Sequence, residues 1–476
     1  MALAFVPSPS VTVPRSEPYA ARNRHRYASN YVVGYSHTKS TTRPPFAVPK
    51  AALKDFGRLD LLDKVYGSER TFAGELYVRA LPGPLQYLPS FLVPGTLALS
   101  AAGAAFGPGI LEAIANYLPA HQIPMGPLVR DTYVENTELC RMLIRTGFSC
   151  CGALFTMVII PGVDVILGKE PEMETRSSDD MYRLVLYSVV AAHFSLILGS
   201  CALASITHLE PLPLLGLMVS MGCEGSMGFV IAHELLHSRQ WQERTLAEAV
   251  LCTLGYMHWS KSHLVHHQRV ATRDDCASAY LGETLYHFLY RSVKGNVQDA
   301  VSMELTRLRA RHLPVWSLHN RVAWWVGMPL ALVLGLYHSC GPQAVMLLVG
   351  QAAVGILLLE TVNYIEHYGL QRKSLDSGGY ETVTVNHSWN ANWLFSNSVI
   401  FALQRHSDHH AHPSRHFQRL ENIQEAPQLP ASYPAMMMLA AAPPLFFRAM
   451  NHRALAWHTG TTDSSPPSTP SISGSL

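Results

Sequence analysis

Charge is what this sequence has least of. Asp, Glu, Lys and Arg supply 15% of its 476 residues, where a soluble globular chain carries about 25%, so an ordinary cytosolic enzyme is a poor fit. Basic and acidic residues, 36 and 34, nearly cancel to a formal +2. Without a basic field there is nothing to gather DNA or RNA, and no nucleic-acid partner is expected. Cysteine pairs are missing too: the eight thiols, at 140, 150, 151, 201, 223, 252, 276 and 340, never stand at CxxC spacing. That removes a thiolate zinc site, a rubredoxin-like iron site and a thioredoxin-like motif. Those inside apolar runs read as small buried hydrophobes. No GxGxxG string provides for a flavin or nicotinamide, and no internal repeat is apparent.

What is present is apolar length. A helix needs about 20 residues to cross a hydrocarbon layer, and runs of that size fall near 86–108, 147–167, 184–206, 211–232, 322–340 and 343–362. The third and fourth are separated by Thr207, His208, Leu209 and Glu210, the fifth and sixth by Gly341 and Pro342, so each pair is a tight hairpin. These turns hold no Lys or Arg. The opposite ends carry Arg239, Arg244, Lys261, Arg269, Arg273, Arg307, Arg309, Arg311, Arg321, Arg372 and Lys373, which places them in the cytoplasm or its organellar equivalent. Pro and Gly interrupt 86–129, leaving room for a re-entrant segment there. Stretches at 392–403 and 434–447 are too short to span and read as interfacial or buried helices. Residues 1–53 carry seven Lys or Arg and one acid, Glu17, among many Ser, Thr, Ala and Pro. This is either an organelle transit peptide, for plastid or mitochondrion, or a disordered basic tail. Residues 456–476 are a second expected tail, since Gly460 onward is Ser, Thr, Pro and Gly with too little apolar surface to offset ordering. The membrane-embedded domain is 54–455.

Twenty-four histidines are the feature to explain. His233-Glu-Leu-Leu-His237 follows directly on the fourth run and sets two imidazoles on one helix face. It also matches the HExxH pattern of zinc peptidases, with Glu234 as the base. His263-Leu-Val-His266-His267 and His406-Ser-Asp-His409-His410 repeat a second spacing, 0, 3 and 4, and His367 emerges at the end of the sixth run. All these elements lie at the positively flanked end. Nine imidazoles (His233, His237, His263, His266, His267, His367, His406, His409 and His410) exceed what one four- to six-coordinate ion can use, so two metal ions follow. Imidazole suits Zn, Cu, Fe or Ni and does not choose among them. Isolated His193, His208 and His338 read as ordinary packing or interfacial residues, and His258, His387, His412 and His416 as undecided. The expected fold is therefore all-α, a six-helix transmembrane bundle with a histidine-rich di-metal site at its cytosolic end.

Three strings resemble the histidine boxes and HYG box of the membrane-bound alkane 1-monooxygenases: His233-Glu-Leu-Leu-His237, Asn363-Tyr-Ile-Glu-His-Tyr-Gly-Leu370 and Leu403-Gln-Arg-His-Ser-Asp-His-His-Ala411. Val270-Ala-Thr-Arg-Asp-Asp-Cys-Ala-Ser278 and Gly282-Glu-Thr284 resemble the segment after that family's second box, and the likeness runs from about 180 to 422. The resemblance implies a non-haem di-iron centre held by the nine histidines, O2 as co-substrate, and terminal hydroxylation of medium or long alkanes drawn from the bilayer lipid. There is one departure. The family's second box sets its first His four residues before the HH pair, where this chain has Ser262, so His263 points about 100° away from the usual direction. Glu234, Asp275, Glu366 and Asp408 are candidates to orient imidazole N–H groups. Electrons would come from a separate rubredoxin- or ferredoxin-like carrier with its reductase, docking on the basic surface around Arg239, Arg244, Lys261 and Arg269. Trp324, Trp325 and Phe229 are candidates to limit substrate length. Three other readings stay open: a fatty acyl desaturase or hydroxylase or an alkyl-aromatic methyl monooxygenase of the same superfamily, a membrane zinc peptidase, and a non-enzymatic metal carrier.

Overall fold

The computed structural model describes residues 61–67, 71–117, 137–171 and 179–459. The transit-peptide expectation for 1–53 lies outside these residues. So does most of the expected C-terminal tail, although the last helix continues to Thr459. Among the described residues there are helices, turns and isolated bridges but no β-strand.

The helices that build the bundle are α1 (Leu92–Tyr117), α2 (Thr137–Ser149), α3 (Ile160–Leu167), α4 (Asp179–Thr207), α5 (Pro211–Leu236), α6 (Trp241–Thr253), α7 (Trp259–Arg269), α8 (Leu285–Ala310), α9 (Arg321–Cys340), α10 (Pro342–His367), α11 (Leu394–Val399), α12 (His406–Ala411), α13 (Tyr433–Ala440) and α14 (Pro443–Thr459). Among the described residues, five stretches are long and apolar enough to cross a membrane: Gly83–Gly109, Asp180–Thr207, Pro211–Leu236, Arg321–Cys340 and Pro342–His367. A sixth forms if Glu138–Ser149 and Cys151–Leu167, bent by 42°, count as one. The chain is an all-helical integral membrane protein.

The bend in that sixth span is anchored by serines. A break in a helix inside hydrocarbon frees backbone groups that must find partners within the protein. The Ser220 hydroxyl of α5 donates to Ser149 O at 2.6 Å and accepts from Ala153 N at 3.1 Å, and Gly152 N donates to Ser100 Oγ at 3.0 Å. A π-helical turn, Phe155–Ile159, follows. The span therefore starts earlier than its apolar run, near Glu138, and is not straight.

Both expected hairpins are present. His208 (φ 45°) and Gly341 (φ 79°) make the reversals in the left-handed region. Gln343 joins the two turns, its amide accepting from Leu209 N at 3.1 Å and donating to Leu209 O at 2.7 Å. Helices α5 and α10 form the centre and approach through glycines: a Cβ on Gly222 would lie 2.2 Å from Val354 Cγ1, and one on Gly350 would lie 2.1 Å from Met218 Sδ. The short apolar stretches resolve as α11, buried throughout, and α13 with α14.

One departure from the expected layout matters for the site. The segment after His237 does not stay outside the bundle. Helix α6 folds back along α5 until Leu254 reaches Gly225, where a Cβ on that glycine would lie 3.0 Å from Leu254 Cδ2. Helix α7 then returns to the end where α5 and α10 finish. At 1.5 Å per residue, Gly225 lies about 16 Å below the end of α5, so α6 and α7 make a re-entrant hairpin. Its amphipathic composition, with Glu243, Arg244 and Glu248 in α6, hides it from a hydropathy reading.

Overpacking the central seam tests this arrangement. Gly222→Val should destabilise the protein by about 1–3 kcal/mol and lower the Tm of the detergent-solubilised protein, whereas Gly327→Val on α9, where a Cβ meets nothing within 4 Å, should leave it close to unchanged.

Candidate metal centre

Four segments bring the nine imidazoles together. His233 occupies the last turn of α5 and His237 is its C-cap; α7 carries His263, His266 and His267; His367 ends α10; α12 carries His406, His409 and His410. They sort into two groups. His233, His237, His263, His267 and His409 form one, His266, His367, His406 and His410 the other, and within each the nearest side-chain nitrogens lie within 4.8 Å of one another. The sorting follows helix geometry. Residues four apart point nearly the same way, whereas the residue at +3 swings to the other side of that direction. Each HxxHH thus gives its 0 and +4 rings to one group and its +3 ring to the other: His263 and His267 against His266, His406 and His410 against His409.

Ring nitrogens, not edges, converge. His233 Nε2 is 2.7 Å from His409 Nε2, and His263 Nε2 is 3.0 and 3.1 Å from the Nε2 atoms of His237 and His267. In the second group His406 and His410 meet Nε2 to Nε2 at 2.9 Å, and the rings of His266 and His367 lie 4.7 Å apart. A neutral imidazole has one donor and one acceptor, so five converging nitrogens cannot serve one another; a cation accepting all their lone pairs can. Burial first, and then the neighbouring imidazoles, hold His263, His267, His406, His409 and His410 well below the ordinary histidine range, and burial pulls His237 down to about 4. All are neutral at physiological pH, the form a metal requires.

His263, displaced by one residue from the resembled family's pattern, stands inside the five-membered group and stacks on Trp259 at 4.5 Å. Ser262, at the usual position, is buried, belongs to neither group, and leaves its hydroxyl without a partner.

The four candidate carboxylates part company. Asp275 Oδ2 lies 2.9 Å from His266 Nδ1 and accepts from Ser278 Oγ at 2.6 Å. Burial raises its carboxyl, but the facing His266 and these hydrogen bonds outweigh that and hold it below the usual range. Glu366 faces inward instead: its Oε2 is 3.3 Å from His406 Nε2, the nitrogen aimed into the group, and the Tyr433 hydroxyl faces the same carboxyl. Glu234 accepts from His416 Nδ1 at 3.1 Å and Asp408 accepts from His412 Nδ1 at 2.8 Å, Arg415 Nη1 at 2.7 Å and Glu421 N at 2.9 Å. These two hold the loop after α12 rather than a clustered imidazole. His412 and His416, undecided from the sequence, are their partners. His387 offers its carbonyl to His367 Nδ1 at 3.4 Å, a backbone contact with no sequence signal. His258 packs on the Tyr256 ring at 4.3 Å, and His193 is buried between Glu224 and Thr253.

A cavity opens from the centre into the bundle. His233, His263, His266, His406 and Glu366 line its site end, and Met157, Cys223, Met227, Val230 and Leu359 line its walls. Of the three aromatic candidates, Phe229 reaches this cavity, Trp325 is buried elsewhere and Trp324 is half-exposed. The basic surface is more committed than its sequence suggests: Arg244 donates to Ser238 O and Arg239 O, Arg269 pairs with Asp299 at 3.2 Å, and burial lowers the Lys261 ammonium.

The fatty acid desaturase family model matches residues 209–440, which puts the chain among the histidine-box membrane proteins. An alkane 1-monooxygenase of Acinetobacter baylyi is 36% identical over 69% of this chain and 83% of its own length, and alkane 1-monooxygenase 1 of Pseudomonas aeruginosa is 35% identical over 66% and 84%. The xylene/toluene monooxygenase hydroxylase component of Pseudomonas putida is 29% identical over 50% and 63%. The chain belongs to the alkane 1-monooxygenase family and is a membrane monooxygenase.

Two outcomes follow from the centre. Asp275→Asn, which removes the charge facing His266, should weaken metal binding about 10- to 100-fold, read by metal titration of the stripped protein. Metal-free protein should be most stable above about pH 6.5 and lose stability toward about pH 4, because the unfolded chain takes up protons that folded His237 refuses until its lowered value is reached; thermal melts between pH 7.5 and 4 check the sign.

Proposed function

We propose that this protein hydroxylates the terminal carbon of medium- and long-chain alkanes with O2, using two non-haem irons held by the two histidine groups and electrons from a separate carrier protein. The observation that carries the substrate class is the chemistry of the cavity wall. No Lys or Arg lines it, and its hydroxyls away from the centre are already donating: Thr156 to Gly152 O at 3.0 Å, Ser226 to Cys223 O at 2.7 Å and Ser396 to Asp164 Oδ2 at 2.5 Å. A fatty acid's carboxylate would be buried there without counter-charge, its one uncommitted hydroxyl donor being Tyr433 beside the Glu366 carboxyl, which is costly. An unfunctionalised chain loses nothing.

An alkane offers neither an acidic proton nor an electrophilic carbon, so general acid–base and nucleophilic strategies have no handle. When bound, the iron pair supplies redox reactivity toward O2. The chain's own residues do the rest. Imidazoles from both groups line the cavity, Asp275 fixes the ring of His266, and the apolar walls exclude water while holding the chain with its end at the centre. Cys223 stands ten residues before His233 on α5, about 15 Å away, which sets a depth for the hydrocarbon.

The carrier side is supported by a polar cleft on the surface, lined by Arg183, Arg239, Arg419 and His237. It reaches one ring of the five-membered group directly, and its charge suits an acidic partner.

Product analysis on iron-loaded, solubilised protein given a reducing system, O2 and a mixture of alkane, free fatty acid and alkylbenzene tests the reading. 1-Alkanol is expected. Hydroxylated or desaturated acid, or benzylic alcohol as the main product, would overturn the substrate class. Cys223→Phe should shorten the longest alkane converted while sparing shorter ones, seen in the chain-length profile of products.

A further inference from the structure

Three of the nine imidazoles, His263, His266 and His267, sit on an 11-residue helix that no spanning segment continues. What locates α7 is the turn before it, residues 254–258, whose Leu254, Tyr256 and Met257 are buried against the spanning helices. A non-helical turn at that depth needs protein partners for its polar groups, and it has two sets of them.

The first is at Thr253. Its carbonyl accepts from Gln351 Nε2 of α10 at 2.6 Å, and its hydroxyl is 3.0 Å from His193 Nε2 of α4; His193 Nδ1 is in turn 3.3 Å from Glu224 of α5. The second is at Tyr256, whose hydroxyl donates to Glu360 Oε1 of α10 at 3.0 Å. Glu360 also receives Asn296 Nδ2 at 3.0 Å, Ser292 Oγ at 2.5 Å and Asn363 Nδ2 at 3.1 Å. His193, Glu224, Gln351 and Glu360 are all fully buried. None of them belongs to either histidine group, yet three spanning helices, α4, α5 and α10, contribute them to one turn.

From the turn to the centre the path is short. Tyr256 and Trp259 both pack edge-on against Phe229, at 5.8 and 5.7 Å, and Trp259 stacks on His263. A small rotation of α7 would move His263 and His267 in one group and His266 in the other together, because the three share one helix.

We infer that Thr253, held by His193 and Gln351, and Tyr256, held by Glu360, are positioning residues that set the depth and rotation of α7 and so tune both metal groups at once. This rests on the two groups holding metal, and not on the identity of the substrate.

The test uses full-length protein in detergent, stripped of metal and titrated with Co(II), reading affinity and the visible ligand-field spectrum. Thr253→Val keeps the shape and removes the hydroxyl; Tyr256→Phe removes one oxygen atom. Both should weaken Co(II) binding about 10- to 100-fold and alter the spectrum, and Thr253→Ser should restore both. If the variants bind two Co(II) with unchanged affinity and spectrum, however far the Tm falls, the residues only hold the fold and the inference is overturned. If Thr253→Val does not accumulate as folded protein, Tyr256→Phe carries the same two outcomes. Unmutated protein that takes up no Co(II) would overturn the metal reading itself, and this inference with it.

Discussion

Nine imidazoles converging at one end of the bundle, seven of them buried, are the constraint on which this structure turns. Such an arrangement has no complete hydrogen-bonding solution of its own, and cations accepting the lone pairs would satisfy it. The rest of the fold supplies aim. No single segment brings more than three of the rings, so the ends of α5 and α10, the re-entrant α7 and the short α12 must be held against one another with little freedom. The glycine seam between α5 and α10 lets two of those ends approach closely, and the buried networks at Thr253 and Glu360 hold the third element.

The second constraint is that this is done inside an apolar bundle, where every unpaired polar group is expensive. The chain meets it with small donors placed where the backbone departs from a helix. Ser220 and Ser100 serve the break between α2 and the π-helical turn; Gln343 serves the hairpin turn at Leu209. Asp164 does the same for α11, accepting from Ser396 N and Oγ at 2.9 and 2.5 Å. Arg405, inside the third histidine string, pairs with buried Glu170 at 2.7 Å and donates to Leu420 O at 2.7 Å, so the segment that carries α12 is fixed from outside the metal groups.

Much of this was readable from the sequence, for physical reasons that differ by element. Spans announce themselves by length and lack of charge, and paired imidazoles by spacings of three and four, because both signals are local. The re-entrant hairpin was not readable: α6 carries Glu243, Arg244 and Glu248, and its burial comes from contacts with α5 and Gln351 far along the chain. The same limit applies to the carboxylates. Asp275 is nine residues from His266 and was a fair candidate, whereas Glu234 and Asp408 sit beside ligand-type histidines in sequence but point to the loop at 412–421, since neighbours on a helix face different ways. Glu366, adjacent to His367, was expected to face the outer nitrogen of a ring and instead faces the inner one. The one-residue shift at His263 resolves through its four-residue spacing from His267.

The two histidine groups also separate a wet side from a dry one. His237 and His267 are only half-buried and do not line the cavity, while His233, His263, His266 and His406 are buried and do. One centre thus presents different rings to the polar cleft at His237 and to the apolar chamber. The groups are not equivalent within the chamber either. The five-membered group offers imidazole alone, whereas the four-membered group has the Glu366 carboxylate beside it. Ligand type tunes a metal as much as ligand number does, so two ions held here would differ in charge environment although each meets the same cavity. That asymmetry comes from helix geometry: one turn of α10 places Glu366 inward next to His367, and no carboxylate occupies the matching place beside His237.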